Sequence, residues 1–333
     1  MARTGSTVSQ IDRCGSRAAE IFPALFGFLT ITAVARLIYV GFSPPPVPLD
    51  LVNLGFGAVL VAIGLIFEAR RYHPVMADLF KALGFVHLAY TAAIASAAIV
   101  FYTGREFPFA DAAFVAADQA LGLDWVAHVK WMDRHPFISM LAQWAYDSIR
   151  YQPLVLVIVV ILAGQTERAY GLLAMMVIAL ATTSAVALFL PALGPYQFFK
   201  LSVADHPNLA LTPDSEWIVP ITWLRAAVFD TPAPPLNVGL ISFPSYHAAT
   251  AILYIWVAWQ TPWLKWIALV VNSAMLLGTP VHGSHYFVDV IAGSVLAAAT
   301  IPFTLWLFAR ISHLRWPSRH PDARQPERTA KPA

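Results

Sequence analysis

Two histidines, His247 and His285, each stand at the mouth of an apolar stretch, and Asp289 follows His285 by four residues. Four apart on a helix, carboxylate and imidazole share one face. The carboxylate can then hold one ring nitrogen, fix the tautomer and leave the other nitrogen's lone pair pointing away. A nucleophilic histidine needs that arrangement, although a buried histidine that merely requires a partner is served by it equally. His247 opens a different apolar stretch, and two histidines of which one is backed by a carboxylate suit a nucleophile with a separate general acid. Ser242, Pro244 and Ser245, just before His247, begin its helix with hydroxyls and free backbone N–H groups, a helix start that attracts phosphate.

The elements that must position these residues are membrane helices. The chain of 333 residues is 58% hydrophobic and only 12% charged, and its mean hydropathy of +0.63 is far above that of an ordinary soluble domain. The apolar residues fall in blocks long enough to cross a bilayer as helices, and most of the 25 prolines lie between blocks. The single cysteine, Cys14, excludes an internal disulfide and a multi-cysteine metal site. No stretch interleaves basic and aromatic residues in the manner of a nucleic-acid surface.

The expected fold is all-α, a polytopic helical bundle of about eight spans. These run over 21–42, 51–67, 83–102, 138–163, 170–190, 245–259, 263–277 and 285–308, with an amphipathic interfacial segment over 105–137. The chain accordingly divides into an N-terminal tail (1–20), two additional spans (21–80), a six-span core (81–310) and a basic, proline-bearing tail expected to be disordered (311–333). With eight spans, Arg3, Arg13 and Arg17, then Arg70, Arg71 and Lys81, then Arg168, Lys265 and Arg310 all fall on one side. By the positive-inside rule that side is cytoplasmic, with both termini. The histidines face outward, toward the periplasm if the membrane is a bacterial inner membrane.

The run Ser242–Phe243–Pro244–Ser245–Tyr246–His247, followed by His285–Tyr286–Phe287–Val288–Asp289 and ending at Gly293, resembles the second and third signature motifs of the type 2 phosphatidic acid phosphatase superfamily. Its form is most similar to the inositolphosphotransferase branch, which includes the fungal inositol phosphorylceramide synthases. The resemblance implies that His285 attacks phosphorus to give a phosphohistidine, that Asp289 orients it, and that His247 protonates the leaving oxygen. It implies no metal and no cofactor. The partners it implies are a lipid phosphoester in the bilayer and a water or hydroxyl acceptor.

The sequence departs from the phosphatase pattern where phosphate is held. Thr279 occupies the position of an arginine six residues before the nucleophile, and the nearest counterpart of the first motif, Leu190 to Tyr196, has no arginine. Charge developing on a phosphoryl group in transfer still calls for a cation or several donors. Arg150, inside the fourth block beside Asp147, is the first candidate, against the alternative of a structural Asp147–Arg150 pair. Ser245, Tyr196, Thr279 and His282 are candidate donors, and Lys200 is a weaker cationic one. Two other functions compete with lipid phosphoester chemistry. One is a non-catalytic lipid-binding or transport protein of the same fold. The other is a metal site built from His282, His285, Asp289 and His247, which would also need an activated water.

Overall fold

A computed structural model describes residues 51–209, 214–227, 234 and 239–311. The expected N-terminal tail, the span expected over 21–42 and the basic tail after 311 lie outside the described residues. Among those described there are helices and no strands.

Five helices are long and apolar enough to cross a membrane. They are α1 (Leu51–Ala69), α2 (Pro74–Thr103), α7 (Thr166–Phe189), α10 (Leu264–His282) and α11 (Phe287–Ile311). A further crossing is bent: α5 (Pro136–Asp147) runs through a 3₁₀ turn, Ser148–Arg150, into α6 (Gln152–Leu162), at an angle of 66°. The remaining expected span is α9 (Tyr246–Ala258), only 13 residues long. At 1.5 Å per residue it covers about 20 Å, less than the roughly 30 Å hydrocarbon core. The expected 105–137 segment is two helices, α3 (Asp111–Ala120) and α4 (Trp125–Arg134), neither of them a span, and α8 (Asp214–Ala226) lies in the loop that follows α7.

The short α9 is the axis of the bundle. Ala248, Ala249, Ala251, Leu253, Tyr254, Val257 and Ala258 are all buried, on every side of the helix, so other helices surround it. Its last turn is held by Arg168 of α7, which donates to the carbonyls of Val257 (2.8 Å) and Trp256 and lies over the Trp256 ring. A cation at a helix C-terminus meets the carbonyls that have no intrahelical donor.

The bend between α5 and α6 has a covalent cause. Pro153 has no N–H to give to the carbonyl of Ile149, four residues back. The hydroxyl of Tyr254 on α9 takes that freed carbonyl at 3.1 Å, so the break docks on the central helix. Asn272 of α10 then donates to Gln152 (2.9 Å), and Gln152 to Ser148 (2.8 Å), which spans the bend with side-chain bonds.

Helix α2 begins at Pro74, nine residues before the expected start, so Lys81 lies inside the helix rather than in the connection. It is buried, with its ammonium 3.1 Å from both Glu68 and Asp78, and Asp78 also accepts from Tyr170 (3.0 Å). This pairing lets a charged turn join an apolar helix. Helices α1 and α2 approach closely: a Cβ on Gly84 would stand 2.6 Å from the Gly57 carbonyl oxygen. Small residues permit such contact between membrane helices.

Candidate active site

The second and third motifs meet because α11 starts beside the start of α9. The Ser245 amide donates to the Asp289 carbonyl at 3.0 Å. Gly293, one turn further along α11, has no room for a side chain, since a Cβ there would overlap the Ser245 carbonyl oxygen and press on Ala248. Ser245 also caps α9, its hydroxyl accepting from the Ala248 amide at 3.3 Å.

The i,i+4 relation of His285 and Asp289 is realised. His285 Nδ1 lies 3.3 Å from Asp289 Oδ2, and that same oxygen accepts from the Ser242 hydroxyl (2.6 Å) and the Tyr286 amide (2.9 Å). A carboxylate so surrounded by donors is the acceptor for Nδ1–H, which makes Nε2 the free lone pair. Nε2 lies 3.3 Å from the Ser245 hydroxyl. The rings of His247 and His285 are 6.2 Å apart between centroids. The His247 ring is stacked against Tyr146 of α5 at 3.9 Å and within 11° of parallel.

Two acidic residues, seven apart on α3 and therefore on one face, hold the third motif from outside. Asp118 accepts from the amides of Phe287 (2.9 Å) and Val288 (2.7 Å), the first two of α11, and so caps that helix from another one. Asp111 accepts from the amides of Leu193 (3.0 Å) and Gly194 (2.8 Å) and from the Tyr286 hydroxyl (2.8 Å). It thereby ties the counterpart of the first motif to the residue next to His285. The i,i+7 spacing is visible in the sequence, but nothing there distinguishes a buried capping face from a solvated one.

Asp118 also carries a testable electrostatic signature. Burial pushes its carboxyl above the ordinary value of 3.8, against the pull of the two backbone N–H bonds, with a further push from the Asp289 charge. The folded protein therefore binds this proton more tightly than the unfolded chain does. The residue's contribution to stability accordingly falls as pH rises from 3.8 through the raised value. In thermal melts across that window, wild type should lose ground relative to Asp118→Asn as pH rises. Asp118→Ala, which strands two helix N–H groups, is expected to cost about 1–2 kcal/mol.

A cavity of about 270 Å³ opens onto these groups, and Tyr146, Arg150, Tyr196, His247, His282 and His285 all line it. Arg150 sits at the end of the 3₁₀ turn, and its side chain makes no hydrogen bond or ion pair with any described residue; no Asp147–Arg150 pair forms. The other phosphate-site candidates divide. Ser245 stands against His285. Tyr196 lines the cavity, but its hydroxyl donates to the Val281 carbonyl while its amide donates to Ser284 (3.2 Å). His282 bonds through Nε2 to the Ser139 carbonyl (3.1 Å).

Thr279 and Lys200 are not brought to the site. The Thr279 hydroxyl is fully buried and turns back to the Met275 carbonyl of its own helix at 2.7 Å, the usual outcome for a hydroxyl inside an apolar helix. Lys200 is exposed at the end of the turn Pro195–Phe198 and does not line the cavity. Arg225, at the end of α8, is engaged elsewhere too, donating to the carbonyls of Gly104, Arg105 and Phe107. Among the described residues no group of three or more His, Cys, Asp or Glu is placed to hold a metal ion.

A sequence model of the PAP2 superfamily matches residues 112–303, which takes in both histidine motifs and all of the capping helix α3 but its first residue, Asp111. No curated protein matches the chain, and no solved structure does.

Proposed function

Because this chain belongs to the PAP2 superfamily, which points to a lipid phosphatase-type activity, we propose that it transfers the phosphoryl group of a membrane lipid phosphoester by way of a phosphohistidine on His285. The observation that carries this reading is the clamp on His285. Nδ1 faces an Asp289 oxygen that already has two other donors, Nε2 stands beside the Ser245 hydroxyl, and His285 lines a cavity shared with His247 and Arg150.

In the first half-reaction the Nε2 lone pair attacks phosphorus and the ester P–O bond breaks. Asp289 keeps the Nδ1 proton and offsets the positive charge that appears on the imidazole. His247, protonated, gives its proton to the departing alkoxide, which leaves as the alcohol. In the second half-reaction neutral His247 takes a proton from water or another hydroxyl as its oxygen attacks phosphorus, and the P–N bond breaks to free His285. Arg150, in the cavity wall, supplies the cation that the missing family arginines would have provided. The first two amides of α9, at Tyr246 and His247, have no carbonyl within their helix and are further donors.

The form of the motifs, Ser-Phe-Pro-Ser-Tyr-His with His-Tyr-Phe-Val-Asp, favours a second version of this chemistry in which the acceptor is another hydroxyl rather than water, as the resemblance to the inositolphosphotransferase branch implies. In both versions the site faces away from the cytoplasm. Arg70 and Arg71 precede α2, Lys265 opens α10 and Arg310 lies in the last turn of α11. The site lies at the other ends of α10 and α11, beside His282 and Asp289. By the positive-inside rule the basic ends are cytoplasmic; in a bacterial inner membrane the site is then periplasmic.

The reading is tested by incubating purified protein in detergent with a panel of phosphorus-labelled lipid phosphoesters, with and without added alcohol acceptors. Phosphate release or transfer, together with an acid-labile, base-stable phosphoprotein, is the expected result. Absence of turnover on every phosphoester, with no labelled protein, would return the chain to the lipid-binding or transport alternative. For Arg150, Arg150→Met is expected to lower kcat by about 10²–10³-fold, the usual loss when one pre-organised transition-state donor is removed. Arg150→Lys should recover part of it as a point charge without the fork.

A further inference from the structure

Tyr146 of α5 reaches both histidines of the site. Its ring lies flat on the His247 imidazole, 3.9 Å away and within 11° of parallel. Its hydroxyl end comes close to His285 across Gly283: a Cβ on that glycine would stand 2.8 Å from the Tyr146 oxygen and 2.7 Å from His285 Cδ2, the ring carbon bonded to Nε2. The hydroxyl and the attacking edge of His285 are thus no more than those two lengths apart. The φ of Gly283, −102°, is open to any residue, so what the glycine supplies is room between these two side chains.

The Tyr146 hydroxyl differs from those of the tyrosines around it. Tyr170, Tyr196, Tyr246, Tyr254 and Tyr286 each donate to a protein acceptor, respectively Asp78, the Val281 carbonyl, the Met176 carbonyl, the Ile149 carbonyl and Asp111. Tyr146 is half-buried and lines the cavity, and its hydroxyl makes no hydrogen bond with any described residue. Phenylalanine would stack on His247 equally well, so the stack does not explain the hydroxyl. A phenol inside a membrane bundle with no acceptor is costly. The acceptor it fits is one that arrives with the substrate.

Resting on the phosphoryl-transfer reading above, we propose that Tyr146 is a further catalytic residue, whose hydroxyl donates to a non-bridging oxygen of the phosphoryl group as that group passes to Nε2 of His285, while its ring holds His247 in place for the leaving oxygen. Phosphorus bonded to Nε2 carries its oxygens into the space between that nitrogen and the hydroxyl. Charge grows on those oxygens in the transition state, so a donor fixed by a stack before the substrate enters stabilises transfer more than binding. Thr279, at the position of a family arginine, is turned inward; a neutral donor on another helix supplies part of what that arginine would give.

Tyr146→Phe keeps the stack and removes the donor. Its kcat should fall about 10²-fold, in the range for one pre-organised donor, with KM changed less than about threefold. With p-nitrophenyl phosphate, whose leaving group needs no proton, the burst of nitrophenolate should slow by the same factor. A tyrosine that only propped His247 would leave that first step intact. Tyr146→Leu, which removes the ring as well, should add a further loss on lipid esters alone, because only they depend on the acid.

Orthovanadate, which takes up the five-coordinate geometry of the transition state, reads the donor without turnover. Tyr146→Phe should weaken vanadate binding at least about tenfold and inorganic phosphate less than about threefold, at an unchanged melting temperature. Wild-type vanadate affinity and a wild-type burst in Tyr146→Phe would overturn the assignment and leave phosphoryl transfer to His285 standing. A wild-type protein that neither binds vanadate nor turns over any ester would take down the phosphotransfer reading, and the donor with it.

Discussion

Replacing His285 by alanine is expected to reduce phosphoryl transfer from any ester by about 10⁴-fold or more, because the group that forms the covalent bond is gone and no neighbour can take its place. The loss should appear in kcat with little change in KM, since the phosphate contacts assigned to Arg150 and the α9 amides remain. No phosphoprotein should form. The substitution is also a clean one. Asp289 keeps two donors, the Ser242 hydroxyl and the Tyr286 amide, so its buried charge is not abandoned, and the melting temperature should stay within a few degrees of wild type. Asp289→Ala lacks this property because it strips the acceptor from three donors at once, and a loss of activity there would report on folding as much as on chemistry. Undiminished turnover in His285→Ala, with wild-type melting, would remove His285 from the reaction and with it the covalent route.

The second large effect is expected at His247, and its diagnostic is the leaving group. A lipid alkoxide is a poor leaving group and needs a proton in the transition state, so His247→Ala should lose about 10²–10⁴-fold on lipid substrates, the range typical of general acid catalysis. With p-nitrophenyl phosphate the departing oxygen is stable as an anion and the first step should survive nearly intact. The second step still requires a base for the attacking water. The variant should therefore release a burst of about one nitrophenolate per protein and then stall with the phosphohistidine accumulated. An equal loss on both kinds of leaving group, without a burst, would show that His247 acts through packing against Tyr146 rather than through its proton.

Much of this site is legible in the sequence. The four-residue spacing of His285 and Asp289 points to the clamp, although His285 stands two residues before α11 begins and Asp289 reaches it from the helix's first turn. The long apolar blocks declare a membrane bundle because a backbone in hydrocarbon must satisfy its own hydrogen bonds, and helices do so locally. Pro153 and Pro280 can be located in the chain, but what meets the carbonyls left around them cannot. Tyr254 takes that of Ile149 across 105 residues of chain, while His128 approaches the Leu277 carbonyl at 3.1 Å and Trp125 donates to that of Pro280 at 3.0 Å.

The hydropathy and motif pattern of the chain determined a membrane bundle, two histidines at helix starts and a carboxylate on the face of one of them. These are local consequences of side-chain type and helical period. Tertiary structure decided the partners. It capped α11 with Asp118, tied Asp111 to Tyr286, stacked Tyr146 on His247, left Arg150 without an ion pair among the described residues and turned Thr279 inward. Spanning helices are apolar on nearly all faces, so periodicity says little about which face meets which neighbour. That choice is made by close packing of small residues, as at Gly57, Gly84 and Gly293, and by the search of each buried polar group for a partner elsewhere in the chain.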